Sequence, residues 1–188
     1  MKKGKTALVL NGSPRAKGNT AVVTQWFENA LRRNGWAVTR FELHRLSYKG
    51  CAHCSTTCKK TSDRPGCALD DHLTPVLDEI AAARLIAIAS PIYCWSVSGC
   101  TKAALDRFYC LFKNNGSLAD GKKMVGLFTA GGDAFAGADL AVEMLKRIAE
   151  YGKAECAGTI AATGCDSPAD LRRRKDIKAA VDALAGKL

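Results

Sequence analysis

Five short apolar runs alternate along the chain with five amphipathic stretches, and turn-forming residues separate them. Residues 7–10 are apolar without interruption, which predicts a parallel strand buried on both faces. Val22, Val23, Trp26, Phe27, Ala30 and Leu31 then recur at helical spacing, and Gly35 is placed to end that helix. Residues 36–43 predict a second strand anchored by Val38 and Phe41. Helical pattern resumes at Thr74-Pro75, where Thr74 suits the cap and Pro75 the first turn, with Leu77, Ile80 and Ala81 facing inward. A strand over 85–89 precedes a helix over 98–112 that turns Leu105, Phe108, Leu111 and Phe112 to the core. A strand over 124–128, a helix burying Leu140, Met144, Leu145 and Ile148, and a strand over 156–161 follow. Asp166 or Ser167, ahead of Pro168, opens the last helix. Strands alternating with helices predict one doubly wound α/β domain over residues 1–188. Only residues 44–72 lack periodicity. They hold four cysteines, Pro65 and two glycines, and predict a long functional loop.

The first strand runs into Asn11-Gly12-Ser13-Pro14-Arg15-Ala16-Lys17-Gly18-Asn19-Thr20. Asn19 or Thr20 can cap the helix that follows, which aims its unpaired N–H groups and positive dipole end into the turn. An anion belongs at such a point. Ser13, Asn19 and Thr20 offer hydrogen bonds there, while Arg15 and Lys17 offer charge. Gly18 is followed by Asn-Thr rather than Lys-Ser/Thr, so this is no nucleoside-triphosphate loop. Gly12 is followed by Ser-Pro-Arg, so it is no dinucleotide turn either. A terminal phosphate is the anion that suits side-chain donors in this arrangement.

Asn-Gly-Ser-Pro-Arg with Gly-Asn-Thr resembles the phosphate loop of the NAD(P)H-dependent FMN reductases of the flavodoxin-like superfamily. Ser90-Pro91-Ile92-Tyr93, followed by Ser98, Lys102 and Asp106-Arg107, resembles the flavin-ring loop of the same family and its following helix. The resemblance implies a three-layer sandwich on a five-stranded parallel sheet of order 2-1-3-4-5. FMN would lie beyond the carboxyl ends of the strands. It assigns the phosphate to Ser13, Arg15, Lys17, Asn19 and Thr20. The ring falls to Pro91, Ile92, Tyr93, Cys94 and Trp95, and to Thr129, Gly131 and Gly132, where two glycines admit close backbone approach. No side chain is expected as catalytic acid or base, because the flavin accepts the hydride. NAD(P)H would be the co-substrate, and the acceptor a quinone, nitro compound, flavin or redox protein. The alternative is an electron-transfer flavoprotein working with redox partners. Family members assemble as homodimers or homotetramers, and the same is expected here.

Composition changes this picture little. Hydrophobic and charged fractions are ordinary for a globular chain. No apolar run approaches a membrane span, and no hydrophobic core of a signal peptide follows the first lysines, so the expectation is a cytoplasmic protein without a membrane partner. The net charge of +10 is scattered apart from Arg172-Arg173-Arg174-Lys175, which has acidic neighbours, so a nucleic-acid partner is not expected. The nine cysteines matter more. Cys51, Cys54, Cys58 and Cys67 resemble the cysteine segment of the iron–sulfur flavoproteins, and four thiolates in one loop could hold a cluster or tetrahedral zinc. The gaps before Cys58 and Cys67 exceed that subfamily's pattern, which favours a lid with reactive thiols. Cys94, Cys100, Cys110, Cys156 and Cys165 are expected to be small buried hydrophobes.

Overall fold

The computed structural model describes residues 4–54, 58, 66–115 and 121–188. Strand β1 (Thr6–Asn11) sits inside one sheet, next to its edge strand, and is buried from its second residue onward. It pairs in parallel with β2 (Ala37–Glu42) on one side and β3 (Leu85–Tyr93) on the other. Strand β5 (Lys123–Thr129) lies beside β3, and β6 (Glu155–Ala162) forms the far edge. The spatial order is therefore β2-β1-β3-β5-β6. The expected five strands are corrected to six: β4 (Ser96–Val97) folds back antiparallel on the end of β3. Two residues are too short to leave a periodic signal, so the sequence pattern could not announce this strand.

The parallel strands alternate their side chains between two apolar layers, as period-2 geometry requires. Ala7, Val9, Ala87, Val125 and Leu127 face one core, closed by α1 (Asn19–Arg33), α6 (Pro168–Arg173) and α7 (Lys175–Gly186). Leu8, Leu10, Ile86, Ile88 and Met124 face the other. That side is closed by α2 (Thr74–Ala82), α3 (Gly99–Asp106), α4 (Tyr109–Asn115) and α5 (Ala138–Tyr151). This is a three-layer sandwich of flavodoxin type.

Several local expectations change. The single helix over 98–112 is broken into α3 and α4, because the amides of Arg107 and Phe108 bond three residues back, to Ala104 and Leu105. Arg107 occupies the break and is 1% exposed. The residue capping α1 is Gly18, not Asn19 or Thr20, and α2 is capped by Leu73 rather than Thr74. Ser167 does open α6, through a reciprocal capping box with Asp170. Leu140, expected in the core, is 55% exposed on the flank of α5, and Cys94, also expected inside, is exposed.

Candidate functional site

The carboxyl ends of β1, β3, β5 and β6 bring four loops to one crevice of about 150 Å³. Arg15 and Asn19 line it from the first loop, Pro91, Ile92 and Tyr93 from the second, and Thr129, Ala130 and Gly131 from the third. Cys165 and Asp166 line it from the loop after β6. That fourth loop was not expected to contribute, since nothing in its residue pattern announces a ligand.

The anion end is built by α1. The capping residue of this 15-residue helix is Gly18, which has no side chain to accept from the first-turn N–H groups. Ser13 is buried, and its hydroxyl accepts from the Arg15 amide at 3.3 Å, shaping the turn just before the helix. Gly12 is indispensable to that turn. A Cβ there would lie 1.7 Å from Thr101 Oγ1 and 2.8 Å from Ser98 Oγ. Ser98 Oγ donates to the Gly12 carbonyl at 2.8 Å, and the Ser98 amide donates to Ser90 Oγ at 2.9 Å. This buried hydroxyl cluster joins the first loop to the second.

The expected phosphate residues separate into two groups. Arg15 and Asn19 reach the crevice, whereas Ser13, Lys17 and Thr20 stand behind or outside its lining. Thr20 and Thr129 share a buried hydrogen bond of 2.8 Å, so these two hydroxyls pair with each other. Asn19 Nδ2 donates to the Cys165 carbonyl at 2.6 Å, which leaves its buried Oδ1 without a partner. An orphaned acceptor is a poor match for phosphate but a good one for a sugar hydroxyl.

In the ring loop, Tyr93 pairs with Ser96, so Cys94 and Trp95 form a two-residue hairpin turn. Their φ values of 46° and 59° are left-handed, the pattern of a type I′ turn that ordinarily takes Asn-Gly. Two side chains are held in this conformation because the Trp95 backbone is clamped. A Cβ on Gly137 would come within 2.4 Å of Trp95 Cα, so the turn lies directly on the start of α5. Cys94, Trp95 and Gly132 lie outside the crevice lining, and Trp95 is 65% exposed at its rim.

The cysteine loop is tied down beside the crevice rather than within it. The Arg107 guanidinium donates to Asp71 Oδ2 at 2.8 Å, to the Lys49 carbonyl at 3.1 Å and to the Leu69 carbonyl at 3.2 Å. Burial opposes the charge on Arg107, but Asp71 and Cys67 outweigh it and raise the guanidinium above its ordinary pKa. Burial pushes the Cys110 thiol up to about 12, and the neighbouring Cys67 and Cys58 thiols add to the rise. Among the described residues, no three His, Cys, Asp or Glu side chains are placed to hold a metal ion. Cys51, Cys54, Cys58 and Cys67 therefore do not form a ligand set as they stand, and parts of their loop (55–57 and 59–65) lie outside the described residues.

A crevice at the switch point of a flavodoxin-type sheet, with a glycine-capped helix start at one end and a strained aromatic hairpin at the other, marks an FMN-type flavoprotein. Residues 6–164 match the family of NADPH-dependent FMN reductases, and the chain belongs to that family. It is 29% identical over 137 residues to an iron–sulfur flavoprotein of Methanocaldococcus jannaschii, a match covering 72% of this chain and 66% of the relative. It is 28% identical to an iron–sulfur flavoprotein of Archaeoglobus fulgidus, covering 72% of this chain and 67% of that one. The chain thus spans about two thirds of the length of these relatives. Among solved structures, an FMN-dependent NADH-azoreductase from Bacillus anthracis in complex with FMN superposes with a TM-score of 0.71 at 14% identity. That superposition covers 97% of this chain and 98% of the other. An NAD(P)H:quinone oxidoreductase from Methanothermobacter marburgensis gives 0.70 at 17% identity, covering 97% and 96%. At such identities these two structures establish the fold.

Proposed function

We propose that this protein is an FMN-dependent oxidoreductase that takes hydride from NAD(P)H and passes electrons to a quinone, a nitro compound, a flavin or another small acceptor. The observation that supports this reading is the glycine-capped start of α1 beside Arg15, an arrangement suited to a terminal phosphate. Bound FMN would supply the two-electron chemistry. The chain's own residues would bind and orient it. Arg15 and the α1 amides would hold the phosphate, Asn19 Oδ1 would accept from the sugar chain, and the Thr129–Gly131 backbone would lie along the cofactor. The ring would lie against the second and third loops, whose Pro91, Ile92, Tyr93 and Gly131 line the crevice together with Asp166. Charge-assisted hydrogen bonds contribute roughly 1.5–3 kcal/mol each. Arg15→Ala should therefore weaken FMN about tenfold or more while leaving riboflavin affinity alone. Equal FMN affinity in mutant and wild type would sink the assignment.

The names of the two archaeal relatives favour a second reading, an electron-transfer flavoprotein that also holds an iron–sulfur centre and serves redox proteins. The assembly we infer is a homodimer. All six exposed large hydrophobic residues among those described fall on one side: Tyr93 and Trp95 in the hairpin, Tyr109 on α4, Phe135 just before α5, and Leu140 and Tyr151 on α5. Their exposures amount to roughly three and a half whole side chains, or ~700 Å² at about 200 Å² each. A standard interface takes ~800 Å² from each partner.

A further inference from the structure

We propose that Asp166 tunes the redox potential of the bound cofactor, holding it low so that the reduced form is a strong electron donor. This rests on the FMN reading above and adds a residue to it. Among the residues lining the crevice, Asp166 is the one anion and Arg15 the one cation. The phosphate claims Arg15, so the carboxylate is left as the uncompensated charge facing the rest of the ligand.

The position of Asp166 is enforced from three sides. The Gly164 amide donates to the Gly132 carbonyl at 2.7 Å, which binds this loop to the third one. Asn19 Nδ2 holds the Cys165 carbonyl at 2.6 Å, which binds it to the start of α1. Ser167 begins α6 immediately afterwards with its capping box. The carboxylate itself hangs over the glycine loop: Asp166 Oδ1 would lie 3.5 Å from a Cβ built on Gly131. Asp170, not Asp166, supplies the helix-capping contacts, so the Asp166 carboxylate carries no part of the local fold.

Hydride transfer delivers two electrons and one proton to a neutral oxidised ring. The product bears one negative charge unless a second proton follows from solvent. A carboxylate at the exposed mouth of the crevice opposes that added charge, damped by solvent screening, and leaves the neutral oxidised ring almost unaffected. The reduced form is thereby bound less tightly than the oxidised form, which is the same statement as a lowered potential. A residue with a merely structural role would weaken both forms alike.

The test measures the dissociation constants of oxidised and reduced FMN, anaerobically, for wild type, Asp166→Asn and Asp166→Ala. Both variants should raise the preference for reduced FMN about threefold, equivalent to an upward shift of about 14 mV for a two-electron couple. Higher pH should widen the gap, since less of the reduced cofactor is then protonated. An unchanged ratio in both variants, with oxidised FMN still bound, would overturn the proposal. So would a shift in Asp166→Asn that Asp166→Ala does not share, because that would report the new amide donor instead of the lost charge. Failure of wild type to bind FMN would remove the FMN reading itself.

Discussion

Replacing Arg107 with Met keeps the length of the side chain and removes its charge from a site that is 1% exposed. Its hydrogen bonds to Asp71, Lys49 and Leu69 span 2.8–3.2 Å, and they fasten both ends of the cysteine loop to the break between α3 and α4. Breaking a buried pair by removing one partner costs about 3–5 kcal/mol. The Asp71 side chain is 19% exposed and can recruit water once the guanidinium is gone, which places the expected loss near the lower bound, about 3 kcal/mol. Urea denaturation should then show a lower midpoint with an unchanged slope. Asp71→Asn combined with Arg107→Met should lose less than the two single changes added together, since no unpaired carboxylate remains. The acid limb adds an independent check. Burial opposes the charge on Asp71, but the bonds from Arg107 and from the Leu73 and Lys49 amides outweigh it, and the carboxyl is held below its ordinary range. Its contribution is therefore complete above the unfolded carboxyl value near ~4, and it fades as the pH falls through the lower folded value. Arg107→Met should flatten that acid-side loss. A destabilisation under ~1 kcal/mol, or strictly additive single changes, would refute the assignment of Arg107 as the buried anchor.

Two further outcomes separate the readings of function and assembly. Anaerobically purified protein should contain no stoichiometric iron or sulfide if the cysteine loop is a lid with reactive thiols; about four irons per chain, lost in Cys54→Ser while flavin stays, would promote the electron-carrier reading. Light scattering should return twice the chain mass at micromolar concentration, and Leu140→Arg, at a position 55% exposed, should yield folded monomer. A wild type that is monomeric at that concentration defeats the homodimer.

The parts of this protein that follow from short stretches of chain are visible in its sequence. Residues 7–10, 85–89 and 124–128 are apolar because strands at the centre of a doubly wound sheet meet helices on both faces, and burial in β1, β3 and β5 is nearly complete. The run from Asn11 to Thr20 declares an anion site because turn, charge and helix start are consecutive. Even there, contacts with distant residues engage individual donors in ways the local pattern does not record. Thr20 turned to Thr129, 109 positions away, and the cap passed to Gly18. Tertiary structure alone decided what depends on distant partners. Asp166 and Cys165 enter the crevice because Asn19 grips their loop across 146 positions, and no local pattern records such a contact. The helix expected over 98–112 breaks at Arg107, whose guanidinium serves carbonyls at 49 and 69, although the apolar periodicity runs on through the break. Leu140 read as core because a stripe of leucines cannot tell a face turned to the sheet from a flank left open. Apolar periodicity states that a face must be covered; only the packing of the whole chain determines what covers it.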